Sequence, residues 1–304
     1  MLPVKKIYID TKKKTTDSIS NSNFKYEIPE TIALPHNTIF FIDDVCIPHS
    51  WYTIEEDVNN RIYVQLMDAN HTTTSTASKE CRIVFIEPGN YNLQQLRAEL
   101  QTKINAAFAV SGNTHPFDIT DDVQTNTLKF TTTYTTQVGK ILSDADLKTG
   151  LAGLMINSVF DASWDMATYP YDTSNPMDMN DIIKNINGTG TVFGSGGGYP
   201  ELQTESVDLQ PIKNIYITSP NIGTYKTFSP SGGRTVIKKV PVNAGDNQMI
   251  FSNITSSNDY LDCSRQTLKT LQFELKTVNG LNIPLHGSHV SFSLVFDKYR
   301  TTED

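Results

Sequence analysis

No stretch of this chain approaches the ~20 consecutive apolar residues that a membrane-spanning helix needs. Cysteine is scarce as well. Three in 304 residues (Cys46, Cys81 and Cys263) cannot all pair, which excludes a disulfide framework. Cys46 lies in Ile42–Ile47 and Cys81 in Cys81–Ile86, both strand-like, so buried thiols are expected. No apolar h-region opens the chain, since Met1-Leu2-Pro3 runs straight into Lys5-Lys6. The expectation is a soluble, reduced protein made inside a cell, in which Asn70-His71-Thr72, Asn187-Gly188-Thr189 and Asn253-Ile254-Thr255 are chance sequons. Positive charge is also short, with a net charge of −8. Residues 1–25 hold six lysines (Lys5, Lys6, Lys12, Lys13, Lys14, Lys25) against Asp10 and Asp17, a net +4, whereas the other 279 residues carry 19 basic against 31 acidic groups, a net −12. Such an acidic body does not wrap duplex nucleic acid. The basic N-terminal arm is the one candidate for a polyanion contact.

Catalytic signatures are missing too. A phosphate-cradling loop needs glycines at set offsets before a Lys-Ser/Thr pair. Gly188-Thr189-Gly190 and Gly194–Gly198 have neither the spacing nor the lysine, which leaves a polar loop. Asp144 and Asp146 start like a calcium loop, but Lys148 occupies the next ligand position and no Glu closes it. His286 and His289 flank Gly287-Ser288, two ligands where zinc needs three or four. Cys46 and His49 sit three residues apart, but a strand puts the thiol in the core. The carboxylates Asp43-Asp44 and Asp121-Asp122, adjacent in strands, are expected on opposite faces and so not as acid–base pairs. No serine lies in a Gly-x-Ser-x-Gly elbow. The reading is a non-enzyme with no catalytic residue, metal or cofactor.

What is present is strand periodicity. Leu271, Phe273 and Leu275 alternate with Gln272, Glu274 and Lys276, and Asn279-Gly280 then marks a turn. Leu281, Ile283 and Leu285 follow, Gly287 breaks the run, and Val290, Phe292, Leu294 and Phe296 alternate with Ser291, Ser293 and Asp297. A period of two gives one buried and one wet face, and Asn-Gly between such runs predicts a hairpin with positive φ at both turn residues. Two back-to-back hairpins closing a sandwich are expected, with Leu271, Phe273, Leu275, Phe292, Leu294 and Phe296 in the core.

Upstream, Thr38–Ile47, Arg61–Met67 and Cys81–Ile86 read as further strands. Asn92 with Gln95 three residues on is a capping box. Leu93, Leu96, Leu100, Ile104 and Ala107 then share one helical face. Phe117–Val123 and Leu128–Thr133 form a hairpin with Asn126 near its turn. Alternation then fades, and 138–155 and 176–186 look weakly helical. Strands resume at Ile212–Ile217, Thr235–Val242 and Gln248–Phe251. The fold class this predicts is mainly β, a single jelly-roll antiparallel β-sandwich with an inserted, partly helical domain. The expected division is an extended N-terminal arm with short strands over 1–35, a discontinuous jelly roll over 36–91 and 206–304, and an insertion over 92–205. Lys12, Lys13 and Lys14 are the candidate assembly contacts of the arm. Trp51, Tyr52 and Trp164, with Tyr169 and Tyr171, are loop aromatics that suit an interface or a glycan platform, or equally a cover over the ends of the sandwich.

An ordered set of motifs runs along the chain: Ile7-Tyr8-Ile9-Asp10 linked to Phe24, Val45-Cys46-Ile47-Pro48-His49-Ser50-Trp51-Tyr52, and Glu87-Pro88-Gly89-Asn90-Tyr91 before a Leu-rich helix. Val236–Pro241 with Gly245, and Leu268–Phe296, complete it. This set resembles the penton, or minor capsid, proteins of virophages and Maverick/Polinton-type viruses; the middle block matches poorly. The resemblance implies a non-enzymatic capsid protein forming the homopentameric vertex of an icosahedral shell. Its implied partners are its own copies and a major capsid protein, in virions assembled in the host cytoplasm. The alternative is a β-sandwich module that binds a glycan or receptor.

Overall fold

The computed structural model describes residues 5–68, 79–109, 115–142, 182–183, 192–195, 199–222, 227–233, 235–253 and 259–298. The chain divides into two compact units, one of 1–51 with 212–304 and one of 52–211. Every strand pairing described is antiparallel.

The first unit is the jelly roll. In chain order its opening strands are β1 (Lys5–Asp10), β2 (Asn23–Ala33) and β3 (Thr38–Pro48). The inserted unit follows, with β4 (Arg61–Asp68), β5 (Lys79–Phe85), helix α1 (Leu93–Ala109), β6 (Phe117–Asp122), β7 (Thr127–Thr132), β8 (Gln137–Ile141), β9 (Val192–Phe193) and β10 (Leu202–Gln203). The sandwich resumes with β11 (Asn214–Thr218), β12 (Val236–Pro241), β13 (Met249–Ser252), the short β14 (Leu261–Asp262), β15 (Thr267–Lys276) and β16 (Ser291–Lys298). One sheet runs β1-β16-β3-β13, with β14 also on β3; the other runs β12-β11-β15-β2. Setting β14 aside, the eight long strands of this unit order as 1-8-3-6 and 5-4-7-2. This is the double Greek key of a jelly roll, and the second unit leaves it between the third and fourth strands.

Alternation explains the core. Ile9, Phe24, Ile28, Phe40, Ile42, Val45, Ile47, Ile215, Ile217, Val240, Ile250 and the six closing-strand residues Leu271, Phe273, Leu275, Phe292, Leu294 and Phe296 are all buried in one cluster. Phe292 from one sheet packs on Phe24 and Phe273 from the other, with ring centroids 6.4 and 4.9 Å away.

Several expectations need correction. Residues 1–35 are not an arm: β1 pairs with β16 along its length and β2 with β15, because Ile9, Phe24, Ile28 and Ile32 are core residues. Strands β4 and β5 leave the jelly roll for a sheet with β8 and β9 in the second unit, so the boundary falls near Trp51 and not at 91. Its other end falls at Pro211, not 205. Periodicity identified these strands but carries no information about their partners. Residues 138–141, expected as helix, and 192–193, within the polar loop expected over 188–198, are strands. The two expected back-to-back hairpins do not form: residues 281–285 are not a strand, and β15 and β16 on either side of them lie in different sheets. Only Gly280 of the Asn-Gly pair has positive φ, and a single bridge, Lys276 to Asn282, marks the turn before the chain crosses between sheets.

The second unit has its own core, built by Ile54, Val64, Leu96, Leu100, Ile104, Phe117, Phe130 and Phe193 among others. Helix α1 opens on the expected capping box: Gln95 N–H donates to Asn92 Oδ1 at 2.9 Å and Asn92 N–H to Gln95 Oε1 at 3.0 Å. Its Gln101 and Asn105 side chains bond to the backbone of β6, an edge strand, and so cover that edge.

Candidate assembly surface

The outward faces of the two jelly-roll sheets differ in chemistry. On the β12-β11-β15-β2 sheet, Gln272 sits opposite Lys25 and Glu274 opposite Asn23. Glu274 is paired with Lys276 at 2.8 Å, and Lys269 with Glu27 at 3.1 Å. That is a water-facing surface.

The β1-β16-β3-β13 sheet presents rings instead. Because Ile9, Ile250 and Phe292 point inward, their neighbours Tyr8, Phe251 and Met249 point outward, and Tyr8 is 71% and Phe251 64% exposed. Tyr260, also exposed, stacks on Phe41 with centroids 4.9 Å apart. Tyr8 lies on one edge strand and Phe251 on the other, with the Phe41–Tyr260 pair on the same face, so exposed rings recur across this sheet, a surface of the kind that partners cover.

A bulge organises the centre of this face. Between Phe292 opposite Val45 and Leu294 opposite Ile42, β3 has Asp43 and Asp44 where β16 has Ser293 alone. The extra residue turns both carboxylates toward Lys6, whose ammonium lies 2.5 Å from Asp43 and 3.6 Å from Asp44. The expectation that Asp43 and Asp44 face opposite ways is therefore wrong, since a bulge breaks the alternation it assumed. The hydrogen bond to Asp43 holds the Lys6 ammonium above its ordinary pKa. Since β16 lies between β1 and β3, the Lys6–Asp43 contact crosses over it, and Ser293 beside it is buried although outward-facing.

The bulge lies in a gap on the other side of β3. Its residues 45–48 pair with β13 and its residues 39–40 with β14. Between them, the buried Lys238 of β12 donates to the Ile42 carbonyl at 2.9 Å. Burial pulls this lysine below its ordinary pKa, opposed by the nearby Asp259, Asp43 and Asp44.

The other candidates disperse. Lys12 and Lys13 are exposed in a one-turn 3-10 helix that Asp10 caps, and Lys14 donates to Asn21 at 2.7 Å. The loop they open is tied to the far end of the chain, with Asn21 donating to the carbonyls of Gly287 and Ser288. Trp51 is buried, stacked on His49 with centroids 4.2 Å apart, whereas Tyr52 is exposed. Trp164, Tyr169, Tyr171, Asp144 and Asp146 lie outside the described residues. Cys46 points outward, half-buried, with its thiol pushed up by burial, the reverse of what a nucleophile needs. Burial is complete at Cys263, whose thiol is pushed up to about 12. Imidazole Nδ1 contacts Ser50 O in His286 and Thr11 Oγ1 in His289. Among the described residues no three His, Cys, Asp or Glu side chains gather as metal ligands, and no helix is long and apolar enough to cross a membrane.

The strand order and the inserted unit define a class, the single jelly-roll proteins with a domain in one connection. No family model and no curated protein matches the chain. Among solved structures, it is similar to the crystal structure of the mavirus penton protein, with a TM-score of 0.52 at 10% identity over 98% of this chain and 100% of that one. At that identity the likeness is one of fold.

Proposed function

We propose that this chain is a structural capsid protein that forms the homopentameric vertex of an icosahedral shell, alongside a major capsid protein. The observation that carries the reading is the end-to-end match to a penton protein, inserted unit included, and not to a jelly roll alone. An outward sheet face rich in exposed rings supports it, since a shell subunit must have neighbours to cover such a surface. The role is structural and assigns no catalytic residue, metal or cofactor. Residence in the virion follows from it, and the same reading takes the host cytoplasm as the place of assembly. The glycan-platform alternative loses one of its rings, because Trp51 belongs to the sandwich core.

Sedimentation velocity and negative-stain imaging of the purified chain test this, alone and co-expressed with the major capsid protein. Fivefold rings, or entry into shells at their vertices, are the expected result. A protein that stays monomeric in both settings, or a trimer retained on sugar columns, would overturn it.

A further inference from the structure

The outward face of the β1-β16-β3-β13 sheet combines exposed rings with surplus negative charge. Asp262 and Asp297 both register with Ile39, which places them with Asp43 and Asp44 on the outward side. Lys6, on the outward side of this array, is already shared by two carboxylates, and Lys238 lies buried behind the bulge. An isologous pairing of this face with itself would set acidic groups against acidic groups, which costs free energy. The matching surplus of positive charge lies elsewhere on the same chain, at the exposed Lys12 and Lys13, on a turn fixed by the Asp10 cap and the Asn21 bonds. Two different, complementary patches on one molecule make heterologous contacts, the kind that generates a ring when the rotation closes.

We infer that this face is the seat for the next copy of the chain, its rings covered by the neighbour and its acidic fringe met by the neighbour's Lys12 and Lys13. The inference rests on the assembly reading above and names the surface and the charge pairing that would carry it. Rigidity of the turn favours the pairing, because two lysines on a braced turn lose less freedom on contact than a free tail would.

The test uses the full chain and reads the concentration at half-assembly by sedimentation velocity, with circular dichroism as a check on folding. Phe251→Glu, at an exposed edge-strand position, should raise that concentration by at least about tenfold, as should K12E/K13E and, separately, Asp44→Lys. Combining K12E/K13E with Asp44→Lys should recover much of the loss, a rescue that general destabilisation would not produce. Gln272→Glu, on the wet sheet, should change little. Added salt should weaken the wild type more than K12E/K13E. If the wild type assembles and Phe251→Glu and K12E/K13E assemble equally well, the seat is wrong while the assembly reading stands. A wild type that never assembles, with or without the major capsid protein, overturns both.

Discussion

Ser293 is fully buried and its hydroxyl has no hydrogen-bond partner among the described residues. Its neighbour Phe292 ties the two sheets together through Phe24 and Phe273. The two positions therefore respond oppositely. Phe292→Ala should cost about 3–5 kcal/mol, because a packed ring leaves a cavity. Ser293→Ala should be neutral or stabilise by up to about 1 kcal/mol, because it removes a buried, unmatched polar group. Urea unfolding of both variants checks this, and a loss of more than about 1 kcal/mol at Ser293 would mean that its hydroxyl has a partner. Lys238 gives a second prediction at this scale. Its folded pKa is below the ordinary 10.5, so between the two values the unfolded chain binds more protons, and stability rises with pH across that window. The wild type should gain on Lys238→Met as pH climbs toward 10.5. Parallel stability–pH curves for the two proteins would refute the assignment.

At the scale of elements, helix α1 shows how local signals and tertiary contacts divide the work. Asn92 and Gln95 satisfy each other's backbone donors, as the spacing predicts. Asn92→Ala should cost about 1 kcal/mol in thermal or urea unfolding of the second unit, and an unchanged midpoint would show that the cap is dispensable there. The docking of the same helix was not readable in advance. Gln101 and Asn105 look like ordinary polar helix positions, yet their amides bond to β6. The Asp43-Asp44 bulge behaves likewise, since adjacent aspartates in a strand give no sign of which residue the partner strand will skip.

At the scale of the molecule, each unit closes its own core. Among the described residues, the sandwich cluster draws on those up to Trp51 and from Ile212 onward, and the second cluster lies between Ile54 and Val207. Independent cores are what allow domains to fold alone. Replacing residues 52–211 by a short Gly/Ser linker should leave a cooperatively folded β protein, and residues 52–211 expressed alone should also fold. Circular dichroism and amide exchange would check both. Loss of cooperative unfolding in the linked sandwich would show that it depends on the inserted unit.

The sequence by itself determined that the fold is a β-sandwich and where much of its core lies, because period-two alternation and helix capping are local and burying apolar side chains leaves them one sensible face; it wrongly put Cys46 inside and Ser293 on the wet side. Leu271, Phe273, Leu275, Phe292, Leu294 and Phe296 were legible for that reason, as was the start of α1. Only the tertiary structure decided which strands pair. It gave β1 and β2 to the sandwich, β4 and β5 to the inserted unit, and β15 and β16 to opposite sheets. Ladder bonds form between backbones, which are alike at every residue, so their partners are chosen by the global packing of side chains and not by any short motif. The candidate surface was hidden for the same reason: Tyr8, Phe41, Phe251 and Tyr260 are far apart in the chain and come to one sheet face only once that sheet is assembled.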